Sequence, residues 1–137
     1  MKPVPDQKRP IAGTHIRAGS ERRTETPNAT MTTLASPTQG QTMALSLWRV
    51  EIHQGQRRPR HIVDSEEIWH VLHGEVVITV GHESFELTDG DTLVIPENVA
   101  RHIDATADAI MLVCGFGDAL VTVPDEPTTP GTPPWTA

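Results

Sequence analysis

Residues 55–74, GQRRPRHIVDSEEIWHVLHG, set an imidazole, His61, six residues before a carboxylate, Glu67. Side chains two apart on a strand share a face, so His61 and Val63 point the same way. A short turn through Asp64 and Ser65 brings Glu67 onto the neighbouring strand, beside them. An imidazole and a carboxylate converging from adjacent strands suit a divalent transition metal. The same two groups could also act as a general base and its carboxylate partner. Trp69 has the parity of Glu67 and is aimed at the same interior, whereas His70 takes the opposite face. Downstream, residues 90–96 (GDTLVIP) lead to Asn98, Arg101 and His102. A bulge near residues 98–100 would turn His102 inward as a third ligand. Without it Arg101 faces in, where its guanidinium could pair with Glu67 or grip a ligand's carboxylate or enolate.

These side chains need strands to hold them. Residues 43–53 (MALSLWRVEIH) alternate, with Leu45 and Leu47 on one face and Trp48, Val50 and Ile52 on the other after a local shift. Residues 67–72 run up to Gly74, and 76–80 (VVITV) meet 84–87 across the turn signal Gly81-His82, a hairpin pattern. Asp89-Gly90-Asp91 is a second turn, leading into residues 92–95, which Pro96 stops. Ile103 and residues 109–116 complete the set. Short, regularly spaced strands with turns between them indicate an antiparallel sandwich or barrel, and no window of 12 or more residues carries a helical period. A barrel with this few strands is either filled by side chains or holds one small ligand. Residues 1–24 read as a flexible tail, 25–123 as the ordered domain, and 124–137, with five prolines, as an extended end that could lie over the body with Trp135 as its anchor.

The spacing resembles that of the cupin superfamily. Its first motif is Gly, five residues, His-x-His, three or four residues, Glu, six residues, Gly, and residues 55–74 fit it. Its second is Gly, five residues, Pro-x-Gly, two residues, His, three residues, Asn, and Gly90 and Pro96 fit that. The resemblance implies an all-β, antiparallel jelly-roll barrel. It also implies a metal site of three His and one Glu, often holding Fe, Mn, Ni or Zn. Here Val63 replaces the second His, Asn98 the usual Gly, and Arg101 the third His, with His102 one residue late. Carried over residue by residue, only His61 and Glu67 remain in register, and His102 is the candidate third ligand. Two protein ligands would hold a metal weakly, so a metal-free site is the alternative. Val63 and Trp69 line the implied cavity.

Composition narrows the class. Residues 1–23 hold six basic and two acidic side chains, a net +4 that leaves −11 for the rest of a chain of net −7. An acidic body argues against nucleic acid, whose phosphates need a clustered basic surface. No apolar run approaches the ~20 residues of a membrane span, and the start lacks a signal peptide's apolar stretch. The single cysteine, Cys114, excludes an intrachain disulfide and reads as a buried, inert thiol in a cytoplasmic protein. His15 falls in the tail, and His53, His73 and His82 fall at strand ends or turns, in solvent. The basic run at residues 57–60 (RRPR) reads as a solvated loop beside the barrel mouth, with acidic-substrate recognition as the alternative.

The resemblance implies an enzyme acting on a small organic molecule, with dioxygenase, isomerase or cyclase-like chemistry, as in bacterial natural-product pathways. His61, Glu67 and Arg101 would be its catalytic groups, with Arg101 or His102 steadying negative charge. A non-catalytic ligand-binding or sensing cupin is the alternative. A homodimer through the outer sheet face, with Trp48, Ile68 and His70 as candidate contacts, is compatible with either.

Overall fold

A computed structural model describes residues 12–56, 59–125 and 129–137. Its regular structure is all strand: β1 (Arg22–Glu25), β2 (Thr30–Ala35), β3 (Leu45–Ile52), β4 (Ile62–Val63), β5 (Glu67–His73), β6 (Glu75–Val80), β7 (Glu83–Thr88), β8 (Thr92–Ile95), β9 (Arg101–Ala105), β10 (Ala109–Phe116) and β11 (Val121–Thr122). β1-β2-β3-β10-β5-β8 form one six-stranded sheet, β7-β6-β9 a second, and β11-β4 a short third, all antiparallel. This is the antiparallel all-β architecture that the strand spacing predicts and the jelly roll that the resemblance implies. Among the described residues no helix is long and apolar enough to cross a membrane.

Alternation decides what each sheet turns inward. β3 buries Trp48, Val50 and Ile52, and β10 buries Met111 and Val113. Across the gap β6 and β9 answer with Val76, Ile78, Ile103 and Ala105. The hairpin of β6 and β7 closes across Gly81 in unbroken register, Val80 opposite Glu83. One end of the barrel is filled solid. There Met111 lies between Val50 and Val71 in the cross-strand row. The next inward row is Trp48, Val113 and Trp69, and beyond it the packing opens.

The start of the domain differs in detail from the sequence reading. β1 begins at Arg22, inside the segment read as tail, and β2 pairs with β3 of its own chain. The polar run in residues 22–33 hides these strands, because only Ala29 and Met31 there are apolar and buried. At the far end residues 129–137 do fold back over the body. Thr33 Oγ1 donates to the Trp135 carbonyl at 2.7 Å, Ser36 Oγ to that of Ala137 at 2.9 Å, and Ser46 Oγ to that of Thr136. Gly131 pairs with Val121. Trp135 packs on the core as the anchor.

Candidate functional site

A cavity of about 140 Å³ occupies the open end of the barrel. An apolar void near 150 Å³ is enough for one benzene ring. Its floor is the row Trp48–Val113–Trp69, contributed by β3, β10 and β5. His61 and Val63 wall one side, and Val121 and Val123 close in beside them. Trp135 and Pro133 of the C-terminal segment cover it. The polar wall among the described residues is His61, Glu67 and Thr136.

Glu67 starts β5, and its carboxylate is buried. Oε1 accepts from Trp69 Nε1 at 3.1 Å and from Arg101 Nη1 at 3.2 Å. Room for this carboxylate comes from Gly115, the inward residue beyond Val113. A Cβ there would lie 3.4 Å from Glu67 Cγ and 3.5 Å from the Trp48 ring, ordinary contact, so alanine would just meet both and a larger side chain would crowd them.

Arg101 is the largest fully buried side chain, with 0% exposure. β9 runs opposite β6 in continuous register from Arg101–Val80 to Ala105–Val76, so parity turns Arg101 and Ile103 in and His102 out. The guanidinium is bound on several sides. Besides Glu67, it donates through Nη2 to the Pro96 carbonyl at 2.8 Å and the Val99 carbonyl at 3.0 Å, and through Nε to Val99 at 3.2 Å. Burial lowers the Arg101 pKa, and Glu67 opposes that fall.

His61 bridges Arg101 through paired backbone hydrogen bonds, each 2.9 Å. Its ring stacks on Trp69 at 6.4 Å between centroids and 21° between planes. Nδ1 lies 3.1 Å from the Pro59 carbonyl. A carbonyl only accepts, so in this contact Nδ1 is the donor. Asn98 holds a left-handed backbone, φ +61°, where the family motif has glycine, and its amide donates to Val63 at 2.8 Å. Asparagine tolerates that region better than most residues do, so the turn survives the exchange.

The structure therefore brings His61, Val63, Glu67 and Trp69 to one cavity, as the spacing predicts. It does not bring His102 there. No bulge re-aims β9, and His102 sits on the outer face near Asp104, 3.7 Å away. Arg101 is inward and pairs with Glu67, one of the two roles expected of it, and it does not line the cavity, where the other role, a grip on a ligand carboxylate, would need it. Trp48, a candidate for the outer interface, faces inward instead, while Ile68 and His70 do face outward. Cys114 is half-buried on the outer face of β10, not in the core, and burial raises its thiol pKa. His15, His53, His73 and His82 are exposed as predicted. Of the basic run, Arg57 and Arg58 lie outside the described residues, Arg60 pairs with Asp125 at 3.1 Å, and Pro59 lines the cavity. Sequence reasoning missed Trp48, Val113 and Gly115 as site residues. The inward parity of residues 48, 50 and 52 was the available signal for Trp48.

The metal fits poorly. Among the described residues no group of three or more His, Cys, Asp or Glu could hold an ion. Val63 offers no donor, and a guanidinium takes the place of the third imidazole and neutralises Glu67.

A jelly roll with a polar cluster at its open end defines a class of barrel fold, and sequence comparison places it more closely. Residues 48–123 match the family model of the cupin domain, and the chain belongs to that family. Solved structures share the fold. A conserved protein of unknown function from Streptococcus pyogenes has 23% identity over 66% of this chain and 75% of its own, with a TM-score of 0.56. An RmlC-like cupin from Shewanella frigidimarina has 16% identity over 74% and 86%, with a TM-score of 0.63. Salicylate 1,2-dioxygenase from Pseudoaminobacter salicylatoxidans, in a structure with gentisate, has 18% identity over 68% of this chain, with a TM-score of 0.60. This chain spans only 26% of that enzyme. No curated protein matches.

Proposed function

We propose that this cupin holds one compact organic molecule in the barrel cavity without a metal at the family's usual site. The observation that carries this reading is the buried Arg101–Glu67 pair. The remaining carboxylate of the motif is engaged by a fixed positive charge, which would repel a cation bound beside it. The walls support a ligand of roughly one ring, apolar in body and polar at the His61–Glu67 side. The test is metal analysis of untagged protein purified without added metal, followed by thermal unfolding with Mn²⁺, Fe²⁺, Ni²⁺ or Zn²⁺. The expected result is well under one metal per chain and no metal-dependent rise in Tm. Stoichiometric metal that falls on His61→Ala would overturn the reading.

A second reading, a metal-independent isomerase or cyclase, draws on the setting of His61. An imidazole anchored to a carbonyl through Nδ1 and stacked on Trp69 is held in one orientation at the cavity wall and suits proton transfer. Such an enzyme would lose turnover in His61→Gln while keeping ligand affinity, whereas a binding protein would have no turnover to lose. Two copies joined through the outer sheet face are part of the same proposal.

A further inference from the structure

The inward faces of β2 and β3 change character toward the open end of the barrel. β3 turns in Ile52, Val50, Trp48 and then Ser46, and β2 turns in Met31 and then Thr33. Ser36 follows just past β2. These three hydroxyl residues are buried, and they donate to three successive carbonyls of one segment: Thr33 to Trp135, Ser46 to Thr136 and Ser36 to Ala137. The segment folds a turn of its own, because the amides of Thr136 and Ala137 donate to the Pro133 carbonyl at 3.1 and 3.2 Å. It enters through the bridge between Gly131 and Val121, with hydrogen bonds of 2.8 and 3.2 Å. Past that bridge Pro133, Trp135 and Thr136 form the cover of the cavity, and Trp135 is only half-buried. A neutral hydrogen bond exchanged for one to water changes the free energy little, so hydroxyl–carbonyl bonds seat the segment without locking it. Apolar residues in place of Thr33 and Ser46 would have sealed it down. A peripheral segment held in this way opens locally, well below the cost of global unfolding. The floor offers no such route, because Trp48, Val113 and Trp69 stand on strands paired on both sides.

We propose that residues 132–137 are a displaceable strap. It lifts from Thr33, Ser36 and Ser46 to admit a ligand, and once it is seated again Trp135 limits that ligand to about one ring. This rests on the reading of the cavity as a ligand site, and it adds the route of entry and the residue that sets ligand length.

Phenol, with one ring, and 4-phenylphenol, with two rings in line, are neutral probes that differ in length. Calorimetry gives their affinities. Tryptophan fluorescence in stopped flow follows entry, because Trp48, Trp69 and Trp135 all line the cavity. The wild type should bind phenol on the order of tenfold more tightly than 4-phenylphenol, and Trp135→Ala should close or reverse that gap. Entry that waits for the strap makes the observed rate level off as phenol concentration rises. Thr33→Val/Ser46→Ala keeps Trp135 and removes two of the hydroxyl donors, so it should raise that plateau roughly tenfold. A length preference that survives Trp135→Ala overturns Trp135 as the limit. A wild-type rate that stays linear in phenol, or a plateau that Thr33→Val/Ser46→Ala does not raise, overturns the route of entry. Either result leaves the ligand-site reading standing. Binding by Trp135→Ala alone upholds the strap as a full closure, and binding of neither probe by any of the three proteins overturns both readings. The wild-type rate law decides the route of entry by itself, whatever the stability of the variants.

Discussion

Arg101 stands where the family motif has its third histidine, and the exchange changes what burial costs. A neutral imidazole can be buried cheaply. A guanidinium needs a counter-charge and several acceptors, and Glu67, Pro96 and Val99 provide them. Removing one member of such a pair leaves a buried charge uncompensated, which costs about 3–5 kcal/mol, whereas removing both is often neutral. Arg101→Met should therefore lower unfolding stability by about that amount in urea titrations at pH 7, and Glu67→Gln/Arg101→Met should recover to within about 2 kcal/mol of wild type. Cys114 gives a residue-scale prediction with a pH sign. Its thiol pKa is raised in the folded chain, so its contribution to stability is complete below the unfolded thiol's pKa and is lost as pH rises through the folded value. Alkylation by iodoacetamide should follow a pH profile displaced upward from that of a cysteine in the unfolded chain. An undisplaced profile would contradict the burial. At this scale the sequence was legible where parity is local. His61, Val63, Glu67 and Trp69 follow from two-residue alternation. The inward choice between Arg101 and His102 did not, because it depends on how the loop at residues 96–100 enters β9, and alternation within β9 cannot supply that phase.

The turns of the two motifs carry their own constraints. Gly74 joins β5 to β6 at φ +109°, and a Cβ there would collide with the Asp108 carbonyl oxygen and with Ala109 at the start of β10. The strain and the backbone clash act together, so Gly74→Ala should be the more damaging turn substitution, costing roughly 2–4 kcal/mol or preventing soluble expression. Asn98, also left-handed, is a milder case. Asn98→Ala should cost about 1 kcal/mol and Asn98→Gly should be nearly neutral in the same urea titration. A costly glycine would mean that the asparagine side chain, not its backbone, matters. The central strands β3, β5, β6, β7, β8 and β10 were readable because each carries its own apolar alternation between turn residues. β1, β2 and β11 were not, and of β4 only the shared face of His61 and Val63 was. They are short or polar, and pairing alone defines them as strands, β1 and β2 alongside β3, β4 and β11 with each other. The C-terminal segment reads as an extended proline-rich end, but its place over the cavity depends on Thr33, Ser36 and Ser46, distant residues that spacing cannot pair with it.

Among the described residues, nothing covers one face of the six-stranded sheet. In the cross-strand row Val94, Ile68, Cys114 and Leu47, every member faces outward, and Phe116 and Leu45 continue it one row on. Val94 is 61% exposed, Leu45 50% and Ile68 44%. Such a run on the outside of a sheet is larger than scattered surface apolar residues produce, which supports the proposal that copies of the chain meet there. The acidic charge of the body opposes association elsewhere, whereas this strip carries no charge to oppose it. A second copy of the chain is the simplest partner, because a two-fold axis lays a strip on itself and satisfies both surfaces at once. Sedimentation velocity should then show a concentration-dependent dimer. Ile68→Lys should shift it to monomer without changing ligand affinity in the cavity, because Ile68 points away from Trp69 and Glu67 on the same strand. Dimerisation should also slow Cys114 alkylation further, and Ile68→Lys should restore the rate. A wild type that sediments as a monomer across the micromolar range would assign the strip to a different partner. A dimer indifferent to Ile68→Lys would move the contact to another face.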